Sequence, residues 1–191
     1  LTLILSGDSA YKGNTAVTAG GHVYGTFEGA STLEGDVRVS GTASDGTPST
    51  WNINGSGTGS GTGNVTAADG AYAVLAVTDS VKVNGNYTAT GDKSIVYLLG
   101  AGNSVITGNL TADSGSAATV ALGDSAVLNG DVTAAGAGTK VTEDFEAGTT
   151  VNGNLVSSNG AAVTTQLAGT WNGTSTLTGG TADVTMTDAA A

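Results

Sequence analysis

The residues best suited to acid–base chemistry in this chain are carboxylates, and they crowd together in Glu143-Asp144-Phe145-Glu146. Two carboxyl groups placed on either side of a glycosidic bond can hydrolyse it. Asp144 and Glu146 are two residues apart, so in a β-strand their side chains share one face. Acidic clusters of this kind are most often solvated, and we expect solvation here. The spacing of an EF-hand and the calcium-binding nonapeptide of β-rolls are both absent, so the sequence predicts no metal site and no cofactor.

The chain has one histidine, His22, and one arginine, Arg38. A Ser-His-Asp site would have to use His22, and the G-x-S-x-G motif of a nucleophilic serine does not occur. We therefore predict that His22 is a solvated turn residue. The glycine- and serine-rich residues 55–61 lack the lysine and the spacing of a phosphate-binding loop, and their composition predicts a flexible excursion. These observations favour a protein that is not an enzyme.

The charge of the chain excludes several classes of partner. Five Lys and Arg residues stand against sixteen Asp and Glu residues, a formal net charge of −11. Binding to a phosphate backbone needs clustered basic residues, so we predict no nucleic-acid partner. No run of about 18 apolar residues occurs, so this segment is not expected to insert directly into a membrane. There is no cysteine, and hence no disulfide framework.

A five-residue pattern recurs along the chain: an apolar residue, any residue, Gly, Asn or Asp, and a residue that is usually apolar. Its glycines, including a degenerate last copy, are Gly13, Gly35, Gly63, Gly85, Gly108, Gly130, Gly153 and Gly173. Five of the seven steps between them are 22 or 23 residues, and one step is 28. A nearly fixed period in the twenties is typical of a solenoid, in which each repeat forms one coil.

The residues two and four places after each glycine are mostly apolar or small, and positions two apart in a strand share a face. A second apolar run follows about eleven residues after the glycine, as in residues 73–77 and 118–122. The sequence therefore predicts an all-β fold, a parallel β-helix with about 22 residues per coil and roughly eight coils. Asn-Gly is also a hairpin signal, which leaves antiparallel blades or a sandwich as the alternative. Blade repeats usually need about 40 residues, which disfavours that alternative.

Two polar columns follow from the repeat. Asn or Asp after the glycine tolerates a corner conformation, and stacked side chains there are expected to hydrogen-bond from coil to coil. This structural turn ladder consists of Asn14, Asp36, Asn64, Asn86, Asn109, Asp131 and Asn154. Three places after the glycine, an outward threonine column offers a candidate binding face, although β-propensity and solubility are the favoured explanation of such a row. The column consists of Thr66, Thr88, Thr111, Thr133 and Thr176, and it is broken by Ala16, Arg38 and Val156.

Repeats such as Val151-Asn152-Gly153-Asn154-Leu155, in an acidic, cysteine-free chain rich in Gly, Thr and Asn, resemble the passenger domains of bacterial autotransporters. These are type V secreted proteins of Gram-negative bacteria, and they include adhesins and self-associating aggregation factors. The resemblance covers roughly residues 11–186. It implies that the β-helix is right-handed and that residues 1–191 are a single β-helix domain, a piece of a longer passenger. It also implies an extracellular location on the cell surface, anchored in the outer membrane by a C-terminal barrel outside this sequence.

Three functions remain open from the sequence. The first is an adhesin or self-association module that binds host matrix, a host surface protein, glycans or an identical rod through a lateral face. The second is a passive β-helical spacer. The third is a polysaccharide-active β-helix enzyme that uses Asp and Glu residues in a groove.

Overall fold

The computed structural model describes residues 1–187, which form 25 short strands and no helix. Every pairing between these strands is parallel, and each strand pairs with the strands one coil before and one coil after it. The result is a three-sided parallel β-helix of about eight coils, so the predicted fold class is confirmed. None of the described residues belongs to a helix that is long and apolar enough to cross a membrane.

Each complete coil contributes one strand to each of three sheets, which we call sheets A, B and C. Sheet A has the longest strands, which are β1 (Thr2–Leu5), β4 (His22–Phe27), β7 (Thr50–Gly55), β10 (Tyr72–Val77), β13 (Ile95–Gly100), β16 (Ala117–Leu122), β19 (Lys140–Phe145), β22 (Ala162–Leu167) and β25 (Thr181–Met186). Sheet B consists of β2 (Ala10–Lys12), β5 (Thr32–Glu34), β8 (Ser60–Thr62), β11 (Lys82–Asn84), β14 (Val105–Thr107), β17 (Val127–Asn129), β20 (Thr150–Asn152) and β23 (Thr170–Asn172). Sheet C consists of β3 (Thr15–Thr18), β6 (Val37–Ser40), β9 (Val65–Ala68), β12 (Tyr87–Thr90), β15 (Leu110–Asp113), β18 (Val132–Ala135), β21 (Leu155–Ser158) and β24 (Ser175–Thr178).

The recurring glycine forms the corner between sheets B and C. It directly follows the sheet B strand, and the Asn or Asp after it precedes the sheet C strand. A Cβ atom on Gly108 would lie 2.0 Å from the carbonyl oxygen of Gly85 in the coil before it, so a side chain is excluded there. Gly35 in addition has a φ of 129°, a conformation that residues with side chains rarely adopt.

The core lies inside the triangle of sheets, and the two columns predicted to face inward do so. The residues two places after the glycine are buried in the middle coils, as with Tyr87 and Leu110. The residues four places after it, such as Ala89 and Ala112, are fully buried. Alternate residues of sheet A complete the core from the opposite side, and Leu98 is one of them. Burial of alternate positions on all three sheets holds the coils in register.

The extra residues of the 28-residue step lie at a different corner from the one expected. The sequence predicts a flexible excursion over residues 55–61, but Gly55 ends β7 and Ser60 begins β8 in the regular coil. The excursion is instead residues 41–49, between β6 and β7, where Thr42 and Pro48 form an antiparallel bridge. The glycines of residues 55–61 have a packing reason, because a Cβ on Gly55 would lie 2.2 Å from the buried Phe27 ring.

Candidate functional site

The acidic cluster is split by the strand that carries it. In β19, Glu143 faces the core and is 4% exposed, whereas Asp144 faces outward and is exposed, as is Glu146 beyond the strand end. Burial raises the pKa of Glu143 to about 7, against a smaller lowering effect of the hydrogen bond that the Thr165 hydroxyl donates to its carboxylate. The expectation that the whole cluster is solvated is therefore wrong for Glu143. Asp144 and Glu146 line a shallow depression together with Asp124 of the preceding coil.

The two residues singled out for their side-chain chemistry lie on different sheets. His22 is exposed and is the first residue of β4 rather than part of a turn, and its ring stacks against Tyr24 with the ring centroids 6.0 Å apart. Arg38 is exposed on the outer side of β6 in sheet C. Within residues 1–187, no group of three or more His, Asp or Glu side chains lies close enough to hold a metal ion.

The turn ladder is a continuous row of hydrogen bonds along the corner between sheets B and C. Each backbone N–H of the row donates to the side-chain oxygen of the ladder residue one coil earlier, at 2.7–3.1 Å, as far as Thr174 above Asn154. The two aspartates also accept from the side-chain amide of the next asparagine, as Asp131 does from Asn154 at 3.1 Å. The ladder residues are mostly exposed, but their oxygens are used to join coils.

The threonine column lies on the outer side of sheet C. Thr66, Thr88, Thr111 and Thr133 are neighbours in the parallel register and are half-buried. Val156 follows Thr133 and separates it from the exposed Thr176. The structure thus assembles five polar side chains into one straight row with the predicted gap.

Sheet A carries a different outer surface, which sequence reasoning missed. We use the name apolar face for the outward residues of β10, β13 and β16, of which only one is polar. These residues are Tyr72, Val74, Ala76, Ile95, Tyr97, Leu99, Ala117, Thr119 and Ala121. Tyr97 is 37% exposed, and the others are half-buried by their neighbours in the sheet. Polar side chains surround the apolar face on the same sheet, with Asn52 and Asn54 of β7 on one side and Thr142 of β19 on the other.

A sequence signal for this surface exists. The strands β10, β13 and β16 are nearly continuous apolar runs, whereas β7 alternates between polar and apolar residues and every outward residue of β19 is polar. A strand in which polar and apolar residues alternate has one face in contact with water. A continuous apolar run is typical of a strand that is covered on both faces. The sequence predicts these apolar runs as strands, without assigning their outward residues to a surface.

Comparison with known proteins gives no match: no protein-family model, no curated protein and no solved structure meets the criterion for similarity to this chain.

Proposed function

We propose that this protein is a cell-surface adhesin or self-association module of the Gram-negative autotransporter type. In this role the solenoid is an extracellular rod that binds a host surface protein, a glycan or an identical rod through a lateral face. The observation that carries the proposal is the register of the sheets, which repeats equivalent outward side chains on successive coils. Contacts that are weak for one coil add up when several coils bind the same partner.

Two lateral surfaces are available for this role. The threonine column offers hydroxyl groups to a polar partner such as a glycan, and the apolar face offers side chains that gain free energy when they leave water. Both run along the stack of coils. The formal charge of −11 favours solubility of an exposed rod.

The test is display of the 191 residues on a bacterial surface, with two cell populations carrying different fluorescent labels. Mixed clumps, or attachment to immobilised matrix proteins or glycans, are expected with the displayed rod and not with empty display cells. Absence of both clumping and attachment overturns the proposal.

A passive spacer is the second candidate, and the uniform stacking of coils favours it, because a rod of repeated hydrogen-bonded corners keeps its shape when coils are removed. Removal of two whole coils should then change only the reach of the rod. A sharp loss of clumping or attachment in that shortened rod excludes the spacer.

The depression lined by Asp124, Asp144 and Glu146 is where an enzymatic alternative would place its carboxylates. That alternative requires sugar release from at least one of a panel of polysaccharides, and loss of the release in Asp144→Asn. We propose that the protein is not an enzyme, and we expect no release.

A further inference from the structure

The outer surface of sheet A has the organisation of a protein–protein interface. Interfaces bury an apolar centre that is depleted in charged residues, and they surround it with a polar rim that remains in contact with water. On sheet A the apolar face occupies the three central strands, and the outward side chains of the flanking strands are mostly Asn, Thr, Gln, Lys and Asp. The central strand of the nine is β13, which carries Tyr97 at its middle outward position.

The distribution of charge points to a partner that is itself acidic. The chain has sixteen carboxylates, yet the outward positions of the five consecutive strands β4, β7, β10, β13 and β16 contain neither Asp nor Glu. The carboxylates lie mainly at the corners of the coils, as Asp79 and Asp124 do. Two copies of an acidic rod approach each other at the lowest electrostatic cost through surfaces that are poor in carboxylates, because like charges in contact cost free energy.

The size of the surface also fits a dimer. With strands about 4.8 Å apart and a rise of about 3.3 Å per residue, nine strands of about six residues present roughly 800 Å². A specific interface of standard size buries about 800 Å² on each partner. The two values agree, so one copy of sheet A is large enough to form a stable contact with another.

One arrangement of two copies also pairs the charges at the rim. A two-fold axis parallel to the rod places each strand of sheet A opposite the same strand of the second copy, with first and last outward positions exchanged. Lys140 and Asp144, at those positions of β19, then face Asp144 and Lys140 of the other copy. Tyr72 faces Ala76 in the same way, so a large side chain meets a small one. Asp183 of β25, at a middle outward position, would face Asp183 of the other copy. This like-charge contact opposes pairing of the last strand, so the contact between the two copies ends before β25.

We propose that sheet A is a self-association surface, on which a second copy of this chain packs face to face and points in the same direction. This inference rests on the proposed function and makes its self-association specific: the partner is an identical rod on the same cell, and the surface that binds it is the apolar face rather than the threonine column.

Sedimentation of the complete chain over roughly a hundredfold range of protein concentration tests the proposal, because a dimer held by mass action dissociates on dilution. Tyr97→Glu places two carboxylates against each other at the centre of the interface, and we expect it to weaken the dimer by roughly 30-fold or more. Thr111→Glu is the matched control, since it adds the same charge to the outward side of sheet C. It should leave the dimer unchanged. Circular dichroism spectra and unfolding temperatures of both variants must match those of the parent chain for the comparison to count.

A parent chain that stays monomeric over the whole range overturns the proposal. So does a dimer that a folded Tyr97→Glu variant leaves intact. If Thr111→Glu dissociates that dimer, the contact lies on sheet C. If Tyr97→Glu fails to fold, Val74→Lys on the adjacent strand provides the same test.

The orientation is tested by exchanging the rim charges. Lys140→Asp and Asp144→Lys should each weaken the dimer, since each places like charges opposite one another, and the double variant should restore it. If all three variants dimerise like the parent chain, the same-direction arrangement is wrong, and Lys140 then faces a neutral residue of the opposed copy.

The dimer and the proposed function can fail separately. Rods that pair in one direction lie on the same cell, so dimer formation in solution without clumping or attachment supports the face and overturns the adhesive role. Clumping or attachment by a strictly monomeric rod supports the adhesive role and overturns the dimer.

Discussion

At the scale of single residues, the recurring glycine is required by the carbonyl group that lies beneath it. A Cβ atom on Gly130 would lie 2.1 Å from the carbonyl oxygen of Gly108, although Gly130 itself does not adopt a positive φ in the left-handed range. Close approach of two backbones is therefore the constraint that these corners share from the second coil onward.

We expect Gly130→Ala to lower the free energy of unfolding by about 2–3 kcal/mol or more, because the new methyl group must push a backbone carbonyl out of the stack. Gly123→Ala is the matched control. Its Cβ atom would meet only the end of the Glu146 side chain, 3.0 Å away, which can move aside. Urea unfolding of the two variants and the parent chain measures the difference. Equal losses in the two variants would show that close approach is not what matters at the corner.

Glu143 gives the protein a pH-dependent stability. Its pKa is raised by burial from 4.5 to about 7, so the folded state binds the proton more tightly than the unfolded state. The stabilisation from this group is complete below pH 4.5 and is lost as the pH rises through 7. The shift corresponds to a loss of about 3 kcal/mol at most between these limits.

We expect Glu143→Gln to be more stable than the parent chain at pH 8, because the neutral amide avoids burying a charge and can still accept from Thr165. The advantage should shrink toward pH 4.5, where the parent carboxyl is protonated. Urea unfolding at several pH values measures it. Asp144→Asn removes the exposed carboxylate next in sequence. This variant should lose stability as the pH rises from 4.5 through 7 in the same way as the parent chain. A constant difference between Glu143→Gln and the parent chain at every pH would contradict the assignment.

The burial of Glu143 was predictable in principle from its register. It occupies the inward column of sheet A that contains Leu98, Val120 and Thr165. Residues 143–146 form one acidic cluster in the sequence, but alternate residues of a strand face opposite environments, so only part of the cluster is solvated.

At the scale of elements, the sequence predicts the strands well and the exceptional corner poorly. The glycine spacing and the apolar columns predict parallel coils, because a repeated inward pattern has only one register that buries it. The same argument fails for residues 55–61, where composition predicts a flexible segment. Positions 55 and 59 require glycine because the Phe27 ring lies against them, and this is a contact between residues of different coils. Such contacts are visible only once the coils are stacked.

The excursion at residues 41–49 should be dispensable. Replacing residues 41–48 with Asp-Gly gives the turn that Asp69 and Gly70 form in the next coil, and Ser49 keeps its bond to the Ser40 carbonyl. We expect the free energy of unfolding to change by less than about 1 kcal/mol, because surface loops tolerate changes in length. Deletion of Thr88 alone, inside β12, is the contrasting variant, since it turns the rest of that strand over. Thermal unfolding compares the two, and a large loss in the loop variant would mean that the excursion helps to hold the stack.

At the scale of the whole molecule, the acidic surface opposes association and the apolar face favours it. Each copy carries a formal charge of −11, so two copies repel at low ionic strength. The Debye length falls from about 10 Å at 0.1 M salt to about 3 Å at 1 M, which screens this repulsion and leaves the burial of apolar side chains unscreened. Salt also weakens the pairs between Lys140 and Asp144, but these lie at the rim and contribute little.

We therefore expect the dissociation constant of the dimer to fall by about threefold or more when NaCl is raised from about 0.1 M to about 1 M. Sedimentation of the parent chain at the two salt concentrations measures this change. The Tyr97→Glu variant should recover part of its lost association at the higher concentration, because its added carboxylates are screened as well. A dimer that weakens steadily as salt is added would mean that ion pairs, rather than the apolar face, hold the two rods together.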